Sequence, residues 1–126
     1  MVSVDTNILV RIITRDDAEQ ANQAETFIKK GAWVSHLVLG ETVWVLARAY
    51  GRTNQQLIKT IEVLLGHEHL RLEDMKVVED ALKAFKKRPA IGFSDYLILE
   101  IARKAGHLPL GTFDRGLANL EGAQKL

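Results

Sequence analysis

The chain contains no cysteine, which excludes a disulfide framework, a thiolate nucleophile and any cysteine-type zinc site. Proline is scarce too: Pro89 and Pro109 both lie in the second half, and no stretch is low in complexity or visibly repeated. An excess of charge of one sign is also missing. With 17 Lys+Arg against 16 Asp+Glu the net charge is +1, so nucleic-acid binding would need a local basic patch rather than overall basicity. No uncharged apolar run approaches the roughly 20 residues of a membrane-spanning helix, because Glu41 interrupts the best candidate. Met1-Val2-Ser3-Val4-Asp5 has neither a basic leader nor an apolar signal core. What is present is ordinary globular composition, 47% hydrophobic and 26% charged over 126 residues, enough for one core and too short for two. The expectation is a single domain over residues 1–126, cytoplasmic and without a membrane partner.

Hydrophobic periodicity organises the chain into short strands and longer helices. Val2-Ser3-Val4, Ala32-Trp33-Val34-Ser35, Leu70-Arg71-Leu72 and Leu108-Pro109-Leu110-Gly111-Thr112 read as strands, the last as a central one. Helices are expected over Asn7–Arg15, from Asp16-Asp17 to Gly31, over Leu37–Tyr50, from the Thr53 cap through Leu65, over Asp74–Arg88, from Ser94-Asp95 to Gly106, and briefly after Asp114. Strands alternating with helices predict an α/β fold, a three-layer α/β/α sandwich with a mostly parallel central sheet.

Most acids fall in mixed-charge stretches that read as solvated helix faces. Asp5, Glu41, Asp95 and Asp114 do not: each stands alone in a segment whose pattern reads as buried. An isolated carboxylate in a low-dielectric interior costs several kcal/mol unless a cation or hydrogen-bond donors meet it. Asp5 and Asp114 each follow a strand and precede a helix, which places both at the carboxyl edge of a parallel sheet, where α/β folds bind ligands. Asp95 at a helix start and Glu41 on its own helix can reach the same crevice. Carboxylates gathered there repel one another unless hard divalent cations lie between them, and Mg²⁺ or Mn²⁺ suit oxygen-only sites. Taken singly, Asp5, Asp95 and Asp114 also suit helix N-caps or first turns, and Glu41 could pair with Arg11 or Arg48. Capping does not account for the isolation of all four, and the shared site is the preferred reading.

Asp5-Thr6-Asn7-Ile8-Leu9 after an N-terminal strand, Val34-Ser35 with Leu37-Val38-Leu39 and Glu41, Asp95 opening an apolar helix, and Thr112-Phe113-Asp114 near the C-terminus together resemble the PIN domain family. The order and overall size resemble in particular the VapC-type toxins of toxin–antitoxin pairs. The resemblance spans essentially the whole chain. It implies a Mg²⁺- or Mn²⁺-dependent endoribonuclease with a cognate antitoxin and a homodimeric state. It also implies that Asp5, Glu41, Asp95 and Asp114 are the catalytic and metal-holding acids, supported by Thr6, Asn7 and Thr112. On that reading Asp5, Asp95 and Asp114 hold the principal ion, and Glu41 completes the site or orients the attacking water. Gly116 departs from the family, standing where many relatives carry a further carboxylate. Gly40 inside a helix and His36 before it are given no role.

RNA contact falls to the local cations Arg15, Arg48, Arg52, Lys86, Lys87, Arg88 and Arg115, weak candidates because such charges more often simply solvate a helix end. Trp33 and Trp44 read as core or dimer contacts, and His67-Glu68-His69 as a solvated turn. Two other classes compete with the nuclease: a non-catalytic module binding RNA or a partner, and a receiver-like phosphoacceptor domain. The receiver is disfavoured because Asp5 is single rather than paired with a second acid, and Arg115 rather than lysine follows Asp114.

Overall fold

Alternation of buried and exposed residues along Ala32-Trp33-Val34 and Leu70-Arg71-Leu72 commits both segments to strands, since only an extended chain sends successive side chains to opposite faces. The computed structural model describes every residue, Met1–Leu126, and divides into two compact units, Met1–Met75 and Lys76–Leu126.

In the first unit β1 (Val2–Ser3), β2 (Ala32–Val34) and β3 (Leu70–Leu72) form a parallel sheet in the order β1-β2-β3. The register sets Ala32 opposite Leu70 and Val34 opposite Leu72, so these four bury one face, while Trp33 and Arg71 share the other. Four helices accompany the sheet: α1 (Thr6–Thr14), α2 (Ala18–Ile28), α3 (His36–Arg48) and α4 (Asn54–Leu65). Their starts follow the expected capping chemistry. Asp17 Oδ1 accepts from Gln20 N at 3.0 Å, Ser35 Oγ from Val38 N at 3.1 Å, and Thr53 with Gln56 closes a reciprocal capping box. Leu9, Val10, Ala21, Ala24, Ile28, Leu39, Leu46, Ile61 and Leu64 fill the core.

The second unit is built from α5 (Met75–Lys87), whose first residue closes the first unit, α6 (Phe93–Ala105), β4 (Leu110–Thr112), α7 (Arg115–Ala118) and β5 (Ala123–Lys125). Its core centres on Phe85, which meets Phe93 and Tyr96 edge to face at centroid distances of 5.9 and 6.4 Å. Gly106 ends α6 with φ +81, the left-handed cap that glycine accepts without a Cβ penalty.

The class is the expected one, α/β with parallel strands. Two details differ. The strand expected over 108–112 pairs only with β5, a segment of sequence Ala-Gln-Lys that carries no apolar alternation to announce a strand. In α6 the inward residues are Phe93, Tyr96, Leu97 and Leu99, whereas Ile98 and Ile101, whose apolar side chains favour a core, are exposed. The stripe is set by the aromatic pair one turn apart rather than by the aliphatic residues that follow.

Candidate active site

In the first unit the extended backbone of Asp5, two residues after β1, turns directly into α1, making Asp5 the N-cap. Its Oδ1 accepts the Ile8 amide at 3.1 Å, and Oδ2 makes no protein hydrogen bond. The next residue, Thr6, donates its hydroxyl to Glu41 Oε1 on α3, a helix that packs on α1. Thr6 therefore ties the first acidic motif to the second. Asn7 follows, exposed and with its side chain free of protein hydrogen bonds.

In the second unit Thr112 ends β4, and its Oγ1 accepts the Asp114 amide at 3.0 Å. Asp114 in turn caps α7, with Oδ2 accepting from Leu117 N at 2.7 Å. Asp95 stands in the first turn of α6 without being its cap, because Gly92 takes that position and offers no side chain. Burial first, and then the negative charge of Asp114, raise the Asp95 carboxyl above its ordinary value. A Cβ at Gly116 would lie 3.3 Å from Asp114 Oδ2, so the glycine that departs from the family pattern leaves this oxygen uncrowded.

The acids are less buried than their sequence surroundings suggest. Asp5, Glu41 and Asp114 are exposed and only Asp95 is half-buried, which corrects the expectation of four acids in an apolar interior. The reason is local. A cap residue lies at an element's end, and Glu41 shares a helix face with Leu37 and Trp44, both open to solvent. The alternative partners proposed for Glu41 are also ruled out. Arg11 binds Asp16, Gln20 and Tyr50, and Arg48 lies over the Trp44 ring at 5.7 Å. None of the four acids forms an ion pair with lysine, arginine or histidine.

The structure thus joins Asp5, Thr6 and Glu41 within one unit and Asp95, Thr112 and Asp114 within the other. No group of three or more acids or histidines lies closely enough together to hold a metal ion. The donor chemistry nevertheless fits a hard divalent cation. Every candidate ligand is a carboxylate oxygen, no cation neutralises any of them, and each capping acid keeps one oxygen free.

Among the expected RNA-contact residues, Arg15 is engaged with Glu25 at 2.7 Å and Asn22 at 2.9 Å, while Arg48, Lys87, Arg88 and Arg115 are exposed. The placement of Trp33 and Trp44 in the core is corrected: they are 39% and 56% exposed. Sequence reasoning also passed over Phe27, 52% exposed on α2. Its signal was an aromatic lying off the Ala21, Ala24 and Ile28 stripe.

No curated protein sequence matches the chain. Among solved structures, the chain is similar to VapC20 of Mycobacterium tuberculosis, described as a toxin that cleaves the sarcin-ricin loop, at 20% identity, TM-score 0.45 and 98% coverage of both chains. The profile of the PIN domain matches residues 2–123. With that match over nearly its whole length, the chain belongs to the PIN domain family, a family of nucleases.

Proposed function

We propose that the protein is a divalent-metal-dependent endoribonuclease hydrolysing RNA phosphodiester bonds, and that it acts as the toxin of a toxin–antitoxin pair. The observation that carries this reading is that the four isolated acids of this PIN-family chain, Asp5, Glu41, Asp95 and Asp114, all lack a cationic partner in the protein. Family membership disposes of the receiver-like alternative.

Asp5, Asp95 and Asp114 would hold Mg²⁺ or Mn²⁺, and a bound divalent ion would neutralise phosphate charge and acidify a coordinated water. The chain's own groups do the positioning. The Ile8 amide fixes the Asp5 carboxylate through Oδ1 and leaves Oδ2 for binding. The Leu117 amide fixes the Asp114 carboxylate through Oδ2 in the same way, and Thr112 holds the Asp114 backbone amide. Thr6 holds Glu41 through Oε1, so Oε2 remains to orient the attacking water and accept its proton. The water oxygen forms the new bond to phosphorus, the bond to the leaving ribose oxygen breaks, and that oxygen takes a proton from solvent. A cognate antitoxin, a homodimeric state and a cytoplasmic location complete the proposal. No helix is long and apolar enough to cross a membrane.

The test is cleavage of single-stranded RNA with Mg²⁺ or Mn²⁺, with EDTA, and with the Asp5→Asn variant. Cleavage should require metal and vanish in the variant. Equal cleavage by wild type and Asp5→Asn overturns the assignment. A second reading, a non-catalytic binding module, draws on the capping bonds of Asp5 and Asp114, which give each acid a structural task. RNA binding without metal-dependent cleavage would select it.

A further inference from the structure

We propose that the groove between α1 and α2 is a subsite for one unpaired nucleobase of the RNA strand, an inference that rests on the ribonuclease reading. The groove has a volume of about 520 Å³, and Asp5 itself forms part of its wall. α1 and α2 are joined by only three residues and pack against each other, so they run antiparallel. The Arg11 Nε to Gln20 Oε1 bond, 2.7 Å, pins their register. Gln23 and Phe27 follow Gln20 at helical spacing, towards the end of α1 that carries Asp5 and Asn7.

The lining matches the two surfaces of a base. Phe27 is 52% exposed and offers an aromatic face for stacking. Asn7 and Gln23 both line the groove and keep their side-chain amides free of protein hydrogen bonds. A carboxamide carries both donors and an acceptor and no charge, which suits the mixed edge of a base. The one cation in the groove, Arg11, is committed to Asp16 at 3.2 Å and to Gln20 and Tyr50. The groove therefore offers a neutral planar group better recognition than a phosphate. On the ribonuclease reading Asp5 belongs both to the groove wall and to the catalytic acids, so an RNA strand carrying its scissile bond to those acids places a neighbouring base at the groove. That favours RNA over a segment of a protein partner.

The experiment titrates a short fluorescein-labelled single-stranded RNA of mixed sequence by anisotropy in EDTA, alongside steady-state cleavage in Mg²⁺. Phe27→Ala should weaken binding about tenfold, as expected for loss of one stacked base, and raise KM with kcat retained; Phe27→Tyr should restore both. Gln23→Ala should change the relative affinities for homopolymers of A, C, G and U. Unchanged Kd and KM in Phe27→Ala, with wild-type cleavage intact, overturn the subsite alone. Binding that responds to Phe27→Ala without any wild-type cleavage supports the subsite and overturns the ribonuclease reading. Absence of both binding and cleavage overturns both. Loss of binding to a co-purifying protein in Phe27→Ala, with RNA affinity unchanged, assigns the groove to a protein and overturns the proposal.

Discussion

Asp5 uses one oxygen to cap α1 and keeps the other free, so substitutions there separate folding from chemistry. Asparagine retains a capping oxygen and should leave metal-free stability essentially unchanged, while alanine should cost about 1 kcal/mol by losing the cap. Chemical denaturation of both variants checks this; equal losses would show that the Ile8 bond contributes nothing. Asp95 calls for a different test. Its carboxyl is raised first by burial and then by Asp114, so the fold favours the protonated form. Its contribution to stability is complete below the ordinary carboxylate value near 3.8 and is lost as pH rises through the raised folded-state value. Metal-free Asp95→Asn should therefore be more stable than wild type at neutral pH, and the difference should shrink towards acid. In Asp114→Asn, the Asp95 carboxyl resonance should titrate at lower pH, though not fully back to the ordinary value, because burial remains. An unmoved titration would show that the two charges do not interact.

Helices were far more legible than strands, for physical reasons visible in single elements. α4 announces itself through Thr53 and Gln56 at its start and Leu57, Ile61 and Leu64 along one face, and the structure realises both features. β5, three residues with an exposed Gln-Lys pair, has no pattern to read and exists through its pairing with β4. α7, at four residues, is defined by its Asp114 cap more than by any periodicity. The acids could be found because charge isolation is a property of sequence. Their exposure could not, because apolar neighbours in sequence point around a helix, and those beside Glu41 on its own face happen to be solvent-facing. Phe85 shows the converse: it continues the apolar stripe of Val78, Ala81 and Leu82 along α5, but only the folded unit reveals its edge-to-face contacts with Phe93 and Tyr96. Phe85→Ala should destabilise the protein by roughly 3–5 kcal/mol, and Phe85→Leu by clearly less. Urea unfolding measures both, and a loss below about 1 kcal/mol for the alanine variant would contradict the central position of this ring.

At the scale of the whole molecule, the fold assembles two groups of acids separately, Asp5 with Glu41 through Thr6, and Asp95 with Asp114. An ion that binds only the native state stabilises it by mass action, by about 2.7 kcal/mol at a concentration one hundred times its Kd. For a domain of this size that corresponds to a rise in Tm on the order of 10 °C. If one ion draws on both groups, Asp5→Asn and Asp95→Asn should each abolish most of the Mg²⁺-induced rise, although one substitution lies in the first unit and the other in the second. The metal-free melting temperatures serve as the internal reference, since neither substitution is expected to lower them. A rise lost in one variant and fully kept in the other would confine the ion to a single unit. A rise retained in both would remove these carboxylates from the binding site and take the proposed hydrolytic chemistry with them.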